Sequence, residues 1–92
     1  MLLISYDISN TRLRSKLSKE LQKHGRRIQY SVFEIDNSNI VLKNIKEVIS
    51  QKYAKKLKKT DSIIIIPVNE VNKDSIIRYG QSVQELDRFL II

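Results

Sequence analysis

An α+β sandwich, one sheet carrying two helices on one face, is the fold this sequence predicts. Short apolar runs alternate with longer stretches of helical periodicity in the order strand, helix, strand, helix, strand, and such an order closes most simply into two layers. Charge placement agrees: of 17 Lys and Arg residues, 14 lie between residues 12 and 27 or between 43 and 59, in or beside the helical stretches, which leaves the strands as the apolar layer. A chain of 92 residues, 41% hydrophobic, is one domain spanning 1–92, and at this size only about two thirds of the unfolded surface is buried on folding. The thin core makes association with a second copy a natural way to cover leftover apolar surface.

Leu2 to Ile8 is β-branched and aromatic and reads as the first strand, ending where Asp7, Ser9 and Asn10 offer helix-capping oxygens. In the first helix Leu13, Leu17 and Leu21 recur as one narrow apolar stripe, with basic residues around the rest of the cylinder. Gly25 is expected to stop this helix, with Lys23 and His24 in its last turn, where positive charge suits the dipole. Ile28 to Ile35 reads as one strand with apolar side chains on both alternations, one face for the helices and one for a second sheet from another subunit.

Asn37, Ser38 and Asn39 can cap a long second helix whose buried side carries Val41, Ile45, Val48, Ile49 and Tyr53. Lysines 52, 55, 56, 58 and 59 occupy its exposed side and end, before Thr60 and Asp61 interrupt the run. Ser62 to Val68 is a continuous apolar run of the kind buried on both faces, and Pro67 ends its pairing. Residues 69–80 form a polar connection. The chain ends in Asp87-Arg88-Phe89-Leu90-Ile91-Ile92, and residues 81–92 are expected to supply a strand that pairs with, or is exchanged into, the sheet of a second protomer. The outline is ferredoxin-like. We find no internal repeat, linker or second domain.

A net charge of +7 and a pI near 9.8 imply an acidic partner. Residues 12–27 hold the single acid Glu20 and residues 43–59 the single acid Glu47. Without cysteine there is no disulfide framework and no thiolate metal site. The segment Met1-Leu2-Leu3-Ile4-Ser5 lacks the charged start of a secretory leader, and no apolar run approaches the roughly 20 residues of a membrane span. We expect a cytoplasmic protein without a membrane partner.

Enzyme constellations are few. Gly25 and Gly80 are the only glycines, so no phosphate-binding glycine loop exists, and His24 is the only histidine. Zinc and Cys-His chemistry are thereby disfavoured, which leaves oxygen ligation by carboxylates, suited to Mg²⁺ with Mn²⁺ as the alternative. Asp7 is the notable carboxylate because it ends an apolar strand beside a basic helix. One reading makes it a helix cap; the other pairs it with its own copy across a two-fold axis, so that two carboxylates converge on one ion.

The strand end Tyr6-Asp7-Ile8, the following Leu13-Arg14 with Lys16, and the string Arg27-Ile28-Gln29-Tyr30-Ser31-Val32-Phe33-Glu34 resemble the CRISPR-associated Cas-two family over residues 2 to about 68. The resemblance implies a ferredoxin-like protomer with an antiparallel sheet, in which Ile28 to Ile35 is divided into a hairpin, and a homodimer exchanging C-terminal strands. It also implies a partnership with the Cas-one integrase in capturing new spacers. A magnesium-dependent endonuclease acting on single-stranded RNA or double-stranded DNA is implied as well, with Asp7 as the catalytic and metal-binding residue. Tyr6, Arg14, Arg27 and Phe33 match positions the family associates with activity. Lys16 stands where some relatives have arginine, which keeps the charge and loses bidentate phosphate geometry.

On this basis Arg12, Arg14, Lys16, Arg26, Arg27, Lys52, Lys55 and Lys56 are the expected nucleic-acid contacts, and Tyr6, Ser31 and Phe33 the supporting residues. Tyr6 and Phe33 fit core or interface aromatics equally well, and Ser31 either orients water or packs as a small residue. Two functions compete: a metal-dependent phosphodiesterase built on paired Asp7 residues, and a non-catalytic scaffold that holds a DNA duplex for the integrase. A base-stacking RNA module is disfavoured, because no string rich in glycine and aromatics occurs.

Overall fold

In the computed structural model, which describes residues 1–36, 38–69, 72, 75–77, 79 and 80, the first strand is the one around which the sheet is ordered. β1 (Leu2–Asp7) lies between β3 (Val32–Ile35) and β4 (Ser62–Pro67), and β2 (Gly25–Gln29) borders β3 on the other side, so the order is β2-β3-β1-β4. Every pairing is antiparallel. With α1 (Thr11–Gln22) and α2 (Asn39–Val48) covering one face, this is the expected ferredoxin-like α+β sandwich.

Register divides the β residues between two faces, because side chains alternate along a strand. Leu2, Ile4 and Tyr6 share the inner face with Phe33, Ile35, Ile63 and Ile65; Leu3, Ser5 and Asp7 share the outer face with Val32, Glu34, Ser62, Ile64 and Ile66. The inner face packs on Leu13, Leu17 and Leu21 of α1 and on Ile45 and Tyr53. Burial of each such side chain is worth about 1.5–3 kcal/mol.

The run from Ile28 to Ile35 is not one strand. Tyr30 and Ser31 form a turn, and β2 folds back on β3 with Ile28 as the extra residue of a bulge between Arg27 and Gln29. Apolar residues occupied both alternations because the alternation restarts after the turn. Gly25 is not a left-handed helix stop either. It opens β2 with no positive φ, and a Cβ there would sit 2.1 Å from the Glu34 carbonyl oxygen. The close approach of β3 is what requires glycine. α1 closes instead through tightened bonds, Lys23 N–H to Glu20 O at 3.2 Å and His24 N–H to Leu21 O at 3.0 Å.

The second helix is shorter than its lysine run suggested. Ser38 Oγ accepts from Val41 N–H at 3.1 Å and starts α2, but the helix ends at Val48 and continues as a π-helical turn (Ile49–Tyr53) and a 3-10 turn (Ala54–Lys56). Periodicity placed Ile45 and Tyr53 on the buried side, and both are buried. It could not register the change of pitch. β4 differs from expectation too: it is an edge strand of the described sheet, with Ile64 53% and Ile66 44% exposed. Asn37, the segment 81–92 and its strand-exchange role lie outside the described residues. Among the described residues, no helix is long and apolar enough to cross a membrane.

Candidate functional site

Asp7 is exposed at the end of β1, opposite Ser62 and on the outer face of the sheet. It does not cap α1. Asn10 does, its Oδ1 accepting from Leu13 N–H at 2.8 Å. Asp7 has no hydrogen-bond or ion-pair partner among the described residues, and its carboxylate is exposed.

A second carboxylate lies in the same corner. Asp61 Oδ1 accepts from Ser9 N–H at 3.0 Å and Ser9 Oγ–H at 3.1 Å, while Oδ2 accepts from Lys58 N–H at 2.9 Å. The Lys58 and Ser9 backbone bonds, in that order, hold the Asp61 carboxyl below its ordinary range. It clamps the β1–α1 junction to the entry of β4. Sequence reasoning took Asp61 only as a helix breaker, and nothing local pairs it with a residue 52 positions away.

Oxygen donors of this kind match a hard divalent cation in type. In number, one chain falls short: the lone pairs of Asp61 are engaged by Ser9 and Lys58, and no group of three or more metal-ligating side chains occurs among the described residues.

The basic residues named from the sequence are divided between the two faces of the sheet. Arg27 is in register with Phe33, so it lies on the inner face, away from Asp7; its Nη2 donates to Ser18 Oγ and its guanidinium carbon sits 5.4 Å from the Phe33 ring centroid. Arg14 folds over the β1–α1 junction, Nη1 donating to Ile8 O at 2.9 Å and Nη2 to Thr11 Oγ1 at 3.3 Å. Arg26 is on the outer face and pairs with Glu34 at 3.2 Å.

Tyr6 and Phe33 are core residues, 4% and 0% exposed, with ring centroids 6.3 Å apart. The Tyr6 hydroxyl donates to Tyr30 O at 3.3 Å, which satisfies its polar end. Ser31 contributes its backbone, accepting from Tyr6 N–H at 3.0 Å. Arg12, Lys16, Lys52 and Lys56 line hollows on the helical side, and Lys55 is exposed in the 3-10 turn.

With this geometry in place, comparison with known proteins is specific. A profile of the family described as CRISPR associated protein Cas2 matches residues 1–76. The crystal structure of Streptococcus pyogenes Cas2 superposes with a TM-score of 0.70 at 25% identity, covering 86% of this chain and 98% of that one. A hypothetical protein from Thermus thermophilus gives a TM-score of 0.65 at 28% identity, over 74% of this chain and 79% of that one. No curated protein sequence matches the chain.

Proposed function

Given that the chain belongs to the CRISPR associated protein Cas2 family and so has a CRISPR-associated role, we propose that it acts in spacer acquisition as a homodimer, with the Cas-one integrase as partner and nucleic acid as cargo. The observation that carries this reading is the outer sheet face, where Leu3, Val32, Ile64 and Ile66 share the surface with Ser5 and Glu34 and Asp7 stands at the end of β1. Two copies associating through this face cover the apolar residues and bring the two Asp7 carboxylates together. The protein is expected to work in the cytoplasm.

In that dimer the paired Asp7 carboxylates would hold Mg²⁺, or Mn²⁺. Such an ion, when bound, supplies Lewis-acid polarisation of a phosphodiester and a more acidic bound water. The chain's own contribution is to hold the carboxylates in place: Asp61 ties Ser9 to Lys58, and Arg14 ties Ile8 to Thr11, which fixes the backbone directly after Asp7.

The second reading, a scaffold that holds duplex without cutting it, is favoured by the placement of Arg27 on the inner face and by the bonds that occupy Arg14. The Arg27 guanidinium does not stand over Asp7 to balance charge on a scissile phosphate. Comparing wild type with Asp7→Ala decides between the readings, with duplex binding, magnesium-dependent cleavage of RNA and DNA, and light scattering measured on the same preparations. The nuclease reading expects cleavage to fall at least a hundredfold in the variant while binding and dimerisation persist. No cleavage by either protein, with duplex binding retained in both, assigns the scaffold role.

A further inference from the structure

A groove of about 510 Å³ runs between α1 and the π-helical turn, on the helical side of the molecule and therefore across the sheet from Asp7. One wall carries Lys16, Lys19 and Lys23 of α1 and its end; the other carries Lys52 and Lys56. A smaller hollow of about 170 Å³ shares Leu13, Lys16 and Lys56 with it and adds Arg12 and Lys58. The two adjoin at these shared residues. Among the described residues one acid, Glu20, stands against these seven cations, itself paired with Lys23 at 3.2 Å.

Both walls have a structural cause. Positions 12, 16, 19 and 23 recur at four-, three- and four-residue intervals, so their side chains form one stripe along α1, beside the buried stripe of Leu13, Leu17 and Leu21. On the opposite wall, a regular helix continued through residue 59 would have carried lysines 52, 55, 56 and 59 as a single solvated stripe. The change of pitch at Ile49–Tyr53 breaks that stripe: Lys52 and Lys56 line the groove beside Gln51 and the buried Tyr53, and Lys55 does not. Irregular π turns inside helices occur frequently at functional sites.

We propose that this groove holds the phosphodiester backbone of a single nucleic-acid strand, at a site separate from Asp7. The inference deepens the nucleic-acid reading above and rests on it. The stripe from Arg12 to Lys23 is about 16 Å long, at 1.5 Å per helical residue, enough to face several phosphates of one strand. A basic groove that tracks a backbone is the usual means of gripping single strands without reading sequence. A duplex is too wide to enter between neighbouring helical segments and meets only the rim. The floor, Leu13 and Tyr53, is buried, so it leaves no broad aromatic platform for bases; the grip is on phosphate and is sequence-tolerant. Strand held here is held away from Asp7.

The test is a fluorescence-anisotropy titration of a labelled 12-nucleotide single strand and of the matching duplex. It compares wild type, the groove variant Lys16→Ala/Lys52→Ala/Lys56→Ala, and the control Lys43→Ala/Lys46→Ala, whose exposed positions lie outside the groove, with circular dichroism to confirm folding. Single-strand affinity is expected to fall at least tenfold in the groove variant and less than threefold in the control. The slope of log affinity against log salt should flatten by about 2, since each lost phosphate contact removes roughly 0.7 for a single strand. Duplex affinity should fall by less than threefold. Equal loss for strand and duplex, or equal loss in the control, overturns the groove assignment and leaves the nucleic-acid reading intact. Displacement of the strand by equimolar nucleoside triphosphate also overturns it, in favour of a free-nucleotide site. Failure of wild type to bind either nucleic acid overturns both.

Discussion

The two faces of the sheet are built from the same strands and have opposite characters. On the inner face Leu2, Ile4, Phe33 and Ile35 are 0–1% exposed and locked against three leucines of α1. On the outer face Ile64 and Ile66 stay about half exposed, and Asp7 has solvent around its carboxylate. Alternation alone assigns residues to faces; what covers each face decides what those residues do. An isoleucine on the inner face is core, and one on the outer face is surface available to a partner.

Substitutions on the two faces should therefore fail differently. The largest effect is expected from Phe33→Ala, which empties the middle of the inner face at a cost of about 3–5 kcal/mol, a large share of the roughly 5–15 kcal/mol that holds a domain folded. Denaturant unfolding measures it, and loss of activity in this variant would follow from loss of fold. A cost under about 1 kcal/mol would remove Phe33 from the core and return it to a functional role.

Next in size is Ile64→Asp/Ile66→Asp, which places two charges on the outer face. Light scattering should show a monomer, while the unfolding of the protomer changes little. A variant that remains dimeric moves the interface away from this face, and with it the paired Asp7 site.

The smallest effect concerns the corner beside Asp7. Because hydrogen bonds from Lys58 and Ser9 hold the Asp61 carboxyl below its ordinary range, its contribution to stability is complete above the unfolded carboxylate value and is lost as pH falls through the lower folded value. Unfolding measured from neutral to strongly acid pH should show Asp61→Asn less stable at neutral pH, with the two proteins converging in acid. Parallel curves would mean that the clamp contributes nothing through its charge.

The first helix was legible because its signals are local: three leucines at four-residue spacing and a capping Asn10. The hairpin was hidden from periodicity because Tyr30-Ser31 contains neither glycine nor proline, and the bulge at Ile28 shifts the alternation just where a break would show. Only the resemblance carried by residues 27–34 indicated the hairpin, and the pairing of Gln29 with Val32 places it. Asp7 was legible as a carboxylate out of character with its strand. Arg27 was grouped with it by sequence resemblance, yet the two are on opposite faces, since residues in register with Ile4 and residues three positions further along β1 point in opposite directions.

By itself, then, the sequence determined the fold class, the leucine stripe of α1, the buried Ile45 and Tyr53, the concentration of charge on the helical stretches and the family. These depend on neighbours within a few residues or on a contiguous motif. Tertiary structure alone decided that Gly25 serves a close strand approach, that Asp61 clamps Ser9, that Arg27 faces away from Asp7, and that Lys16 and Lys56 share a groove. Each of those facts is a contact between residues distant in the chain, set by register and by helix pitch, and neither quantity is written in any local stretch of residues.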